Sequence, residues 1–70
     1  MQYSILDKNT GILSHFKDTF IAQRMMSMGI TPGVKLSLIR SMPHLGAYYI
    51  KADNKHFAMR EEEVRALIIV

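Results

Sequence analysis

The sequence predicts a mainly β fold, a small, partly open barrel of five short strands with one helix. Three observations predict it. Apolar and polar residues alternate through Val34, Leu36 and Leu38, and again through Tyr48, Ile50 and Ala52, the period of a strand with one buried face. Turn chemistry at Asp7–Gly11, Thr31–Gly33, Met42–Gly46 and Asp53–Lys55 divides the chain into short pieces. One stretch, Thr19–Met28, keeps a helical period.

The chain of 70 residues carries no internal repeat and no linker, so a single domain over 1–70 is expected, with 1–10 the least patterned part. The apolar run Ile12–Phe16 reads as a strand with Ile12 and Phe16 on one face. Asp18 or Thr19 then caps the helix, because a side-chain oxygen there accepts from an orphan amide. Ile21, Met25 and Met28 form its apolar stripe, Ala22 and Met26 widen it, and Gln23, Arg24 and Ser27 face water. Met25 and Met26 are adjacent and cannot both point at the core, so one of them is expected near the surface.

Gly29 follows at the position where a left-handed φ ends a helix, and Ile30 folds back onto the last turn. Thr31-Pro32-Gly33 supplies a turn before the strand that begins at Val34. The loop Met42–Gly46 leads into the strand of Tyr48, with Tyr48 inward and Tyr49 exposed. Asp53-Asn54-Lys55 reads as a tight hairpin, since Asp and Asn tolerate left-handed φ. His56–Met59 returns as a strand with Phe57 and Met59 pointing together. Glu61-Glu62-Glu63 opens a helical turn and reads as a solvated face. Leu67–Val70 is apolar on both faces and is expected inside a sheet.

The chemistry is spare. Nine Lys plus Arg against six Asp plus Glu give a net charge of +3, which tolerates an anionic partner without demanding one. Cysteine is absent, which excludes disulfides, thiolate metal sites and a cysteine nucleophile. No phosphate loop, G-x-S-x-G or H-E-x-x-H occurs, so no enzyme is expected and no cofactor. His15, His44 and His56 fall on two strands and a loop without ligand spacing, so no metal site is assigned. Lys51, Lys55 and His56 flank a hairpin beside Tyr49, a pattern typical of a solvated edge, and nucleic acid is not expected. No apolar run approaches a membrane span, and the first eight residues lack the features of a signal peptide. A cytoplasmic chain with no membrane insertion is expected.

The segment Arg24-Met25-Met26-Ser27-Met28-Gly29-Ile30-Thr31-Pro32-Gly33 resembles the R-x-L-x-x-L-G-[LIM]-x-P-G signature of the FeoA proteins, small accessory proteins of bacterial ferrous iron transport. Met42-Pro43-His44-Leu45-Gly46 resembles that family's A-P-L-G loop, with His44 interrupting it. Ala58-Met59-Arg60 with Glu63-Val64 resembles its [AS]-L-R-x-x-[DE]-[AL] segment, and Leu67–Val70 its closing strand. Methionines stand at 25, 26 and 28 where the family has leucines, an exchange that keeps volume.

The resemblance implies an SH3-like barrel of five to six strands with one inserted α-helix. It also implies a cytoplasmic role beside FeoB, a membrane permease with a G-protein domain, and leaves weak self-association open. Gly29, Pro32 and Gly33 are implied as shaping residues of the helix exit. Met26, Met28, Pro43, Leu45, Gly46 and Arg60 are the candidate partner-binding residues. Two other classes stay open: a metal-responsive or metal-binding barrel using the histidines, and a nucleic-acid-binding SH3-like module.

Overall fold

The shortest link between two strands organises the sheet. Strand β4 (Ala47–Ala52) and strand β5 (Lys55–Met59) pair through a two-residue turn in which Asp53 takes φ 53. Strand β3 (Lys35–Met42) pairs antiparallel with β4, and strand β2 (Thr10–Phe16) with β3. Strands β1 (Tyr3–Ser4) and β6 (Leu67–Ile69) complete a six-stranded antiparallel sheet in the order β1-β6-β2-β3-β4-β5. The sheet curls around the core without closing, since β1 and β5 are edges that do not pair with each other. This computed structural model describes all 70 residues. It has the mainly β, partly open architecture expected, with β6 inside the sheet and buried on both faces.

Helix α2 (Thr19–Ser27) forms where its period places it. Asp18 is the cap, its carboxylate accepting from the amides of Phe20 at 2.8 Å and Ile21 at 3.1 Å. The exit is a Schellman turn. The Gly29 amide donates to the Met26 carbonyl and the Ile30 amide to the Met25 carbonyl, while Gly29 holds φ 93. Met25 and Ile30 are thereby both driven into the core. Met26 and Met28 stay exposed, which corrects the expectation of Met28 on the buried stripe. Met28 is the C-cap, past the last helical residue, where the chain already enters the Schellman turn.

Two bulges set which residues face inward. In β2, Leu13 lies opposite Ile69 and His15 opposite Ile68, so Ser14 is the extra residue. The bulge turns both Leu13 and Phe16 toward the core and leaves Ile12 outside, contrary to a simple alternation that pairs Ile12 with Phe16. In β3, Leu38 lies opposite Ile50 and Arg40 opposite Tyr49, so Ile39 is the extra residue.

The first ten residues are structured. Helix α1 (Ile5–Lys8) is capped by Ser4, whose hydroxyl accepts from the Leu6 amide at 3.2 Å, and ends at Asn9 with φ 72. Ile5 is wholly buried, and α1 packs against β1, β2, β3, β6 and helix α3 (Glu61–Arg65), plugging the barrel. The structure thus has three α-helices, two of them single short turns, where one helix and a helical turn at Glu61 were expected. Helix α3 corresponds to the helical turn read at Glu61.

Candidate partner-binding site

Strand β3 runs into Pro43, which opens a 3-10 turn over Pro43–Leu45. Proline sits well there because its missing amide would be unpaired at a helix start. Gly46 ends the turn with φ 63, its amide donating to the Pro43 carbonyl at 3.0 Å. The left-handed φ at Gly46 reverses the chain into β4, and the reversal leaves Leu45 standing out, 65% exposed.

Across from it, β5 ends at Met59 and the chain turns through Arg60 into α3. Between the two lies an open concavity of about 540 Å³. Leu45, Ala47, Ala58 and Met59 give it an apolar wall, and Arg60, Glu61 and Glu62 a charged rim. It accepts a protruding apolar side chain with a charged neighbour.

Electrostatics fix the rim. The Tyr48 hydroxyl donates to Glu61 Oε1 at 3.1 Å, and Arg65 Nε donates to Glu61 Oε2 at 2.8 Å. The hydrogen bond from Arg65, then that from Tyr48, hold the Glu61 carboxyl below its ordinary range. Burial, reinforced by the bond to Glu61, pushes the Tyr48 phenol up. Glu63 is 5% exposed; its carboxylate accepts from the Arg60 amide at 2.9 Å and pairs with the Arg24 guanidinium at 3.2 Å. The acidic run is therefore not a solvated face. Glu62 is exposed, Glu61 is engaged, and Glu63 caps α3 while tying it to α2. The two ion pairs of the structure, Arg24–Glu63 and Arg65–Glu61, leave the Arg60 guanidinium free of both.

Of the residues singled out from the sequence, the concavity gathers Leu45, Gly46 and Arg60. Pro43 starts the turn beside it. Met26 and Met28 lie at the far end of α2, which packs on β2, whereas the 3-10 turn packs on β4. No concavity of the molecule holds the helix end and the loop together. Gly29 and Gly33 adopt φ 93 and φ 98 around Pro32, as shaping residues of the helix exit. The sequence reading missed Tyr48, Glu61 and Glu63. The spacing of Glu61 and Arg65, four apart on a helix, is a visible signal for their pair. Glu63 has none, because Arg60 takes the capping position where Ser or Thr would betray it.

The three histidines sit on β2, in the 3-10 turn and on β5. His15 Nδ1 lies 3.1 Å from the Ser14 hydroxyl. No group of three or more His, Asp or Glu side chains is placed to hold a metal ion. No helix is long and apolar enough to cross a membrane.

Among solved structures, the chain is similar to an iron uptake regulatory protein (FeoA), at 20% identity and a TM-score of 0.80, covering 100% of this chain and 96% of that one. The FeoA protein from Chlorobium tepidum matches at 17% identity and a TM-score of 0.71, over 89% of this chain and 61% of that one. A manganese-dependent transcriptional repressor matches at 17% identity and a TM-score of 0.77, over 89% of this chain but 35% of its own length. At these identities the structural likeness establishes the fold. A search of curated protein sequences finds no match. The family model described as FeoA domain matches residues 5–70, from the buried start of α1 through the closing strand, and the chain belongs to the FeoA family of small proteins related to ferrous iron transport.

Proposed function

We propose that this chain is a non-enzymatic accessory protein of ferrous iron uptake that binds the cytoplasmic G-protein region of a FeoB-type membrane permease. The observation that carries the reading is the family match over residues 5–70, joined to a groove with no catalytic constellation and a free guanidinium at its rim. In this reading Leu45 and Ala47 receive an apolar side chain of the permease, and Arg60 meets a carboxylate beside it. Pro43 and Gly46 hold the turn in shape, and Met26 and Met28 form a second, adaptable contact at the helix end. The chain has no phosphate loop, so nucleotide turnover belongs to the permease. Binding biases that turnover by as much as the chain prefers one nucleotide state over another. The site of action is the cytoplasmic face of the membrane, reached through the partner.

The test is an anaerobic affinity capture of the tagged chain from solubilised cells, followed by direct titration onto the isolated G-protein region. Recovery of the permease, lost with Leu45→Asp or Arg60→Glu, supports the reading. Capture that survives both variants with the fold intact removes the groove from it.

A further inference from the structure

The outward face of β2–β5 carries charge that the groove does not use. Directly opposed residues of antiparallel strands share a face. One row across the sheet is therefore Thr10, Ser37, Lys51 and His56, and the 3.1 Å approach of the Thr10 and Ser37 hydroxyls joins its first two members. The next row is Arg40, Tyr49 and Ala58, and on the other side Ile12 lies opposite Lys35. Lys35, Arg40 and Lys51 are in neither of the two ion pairs. Asp53 is the one carboxylate lining the shallow depression between Lys35 and Lys51, at its hairpin rim. The other five acids lie on α1, α3 and the cap of α2.

The same face exposes apolar groups. The bulge in β3 puts the extra residue, Ile39, next to Arg40 against Tyr49, and Ile39 is 55% exposed with no part in the core. Ile12 is outside for the corresponding reason in β2. Scattered aliphatic side chains, a tyrosine and unpaired Lys and Arg on one face match the boundary of an anionic bilayer. There phosphates attract the cations and the acyl edge takes the aliphatic groups. A nucleic acid would need a stacking platform of several rings, and the exposed rings on this face are two, Tyr49 and the imidazole of His56, in different rows.

We propose that the outward face of β2–β5, centred on Lys35, Ile39, Arg40, Tyr49 and Lys51, docks onto an anionic lipid surface. This inference rests on the proposed function only in placing the chain beside a membrane protein. Docking holds the chain in the plane where its partner lies and leaves the groove at Arg60 free.

The test uses the purified full chain and vesicles of phosphatidylglycerol or of phosphatidylcholine, with sedimentation as the readout and no permease present. Failure here leaves permease capture untouched, and failed capture leaves the vesicle result standing. Binding to phosphatidylglycerol alone is expected, weakening as salt shortens the screening length. Lys51→Glu is expected to lower it by roughly fivefold or more and Lys35→Glu with Lys51→Glu by over roughly tenfold, from the attraction of each basic group to an anionic surface. Ile39→Ser is expected to weaken it without changing net charge. Lys17→Glu changes net charge as Lys51→Glu does but lies off the face, and it is expected to bind nearly as wild type. All four positions are exposed or half-buried, so melting temperature reports that the fold survives. The proposal is overturned by no sedimentation with phosphatidylglycerol, by equal losses for Lys17→Glu and Lys51→Glu, or by binding to a poly-glutamate peptide or an oligonucleotide in place of vesicles.

Discussion

Replacing Glu63 by alanine removes three interactions from one buried side chain. The first is the cap on the Arg60 amide, worth about 1 kcal/mol at a helix start. The second is the pair with Arg24, whose side chain is 62% exposed, so solvent screening reduces it to about 0.5 kcal/mol. The third is the packing of the lost methylene, about 0.8 kcal/mol. Together they come to about 2 kcal/mol in a domain whose whole stability is about 4–10 kcal/mol at this length. Melting should fall by roughly 8–16 °C, since a domain this small shifts about 4–8 °C per kcal/mol. The comparison is Glu62→Ala, one residue away and exposed, which should move stability by no more than about 0.5 kcal/mol. Thermal unfolding followed by circular dichroism measures both. Equal melting temperatures for the two variants would refute the assignment of Glu63 as the tie between α2 and α3.

Three further outcomes are expected. Gly11→Ala places a Cβ 2.7 Å from the Val70 carbonyl oxygen and 2.9 Å from Ile69 Cδ1, so β2 must part from the chain beyond β6. A loss of about 1–3 kcal/mol follows, with faster hydrogen exchange at the paired amides of Ile12 and Val70. Met25→Ala should cost about 2–5 kcal/mol in denaturant unfolding, because Met25 is buried, while Met28→Ala at the exposed helix end should cost far less. The Glu61 carboxyl, held down by Arg65 and Tyr48, stabilises the fold above its ordinary range and loses that contribution as pH falls through its lowered value. Tyr48, pushed up, stabilises below its ordinary value near 10 and loses the effect as pH rises through its higher one. Melting temperature against pH should therefore decline at both extremes. Glu61→Gln should flatten the acid limb, and an unchanged limb would mean that its bonds are not maintained in solution.

What was legible in the sequence followed local rules. Asp18, Gly29 and the 3.6 period mark α2 because capping and left-handed φ are satisfied within a few residues. Val34–Leu38 and Tyr48–Ala52 alternate because their strands have one buried face. The inward Tyr48 and outward Tyr49 follow from the same rule. The illegible parts depend on distant contacts. Helix α1 is one turn whose residue Ile5 gains its stability from α3 and the sheet. The bulges at Ser14 and Ile39 change the parity of a strand midway, so alternation placed Ile12 on the wrong face. In the groove, Leu45, Gly46 and Arg60 were legible through motif resemblance. The lock on Glu61 needed the position of Tyr48, thirteen residues away in sequence.

The sheet order has a consequence for how the chain reaches its folded state. Strand β6 lies between β1 and β2, so the strand latest in sequence is inserted beside two of the earliest. Tyr3 and Ile69 are register partners, as are Leu13 and Ile69. The hairpins from β3 to β5 can form as soon as they leave a ribosome, whereas β1 and the outer edge of β2 must wait for residues 67–69. Until then α1 lacks its contacts with β6, and the emerging chain presents the unpaired edge of β2 to its surroundings.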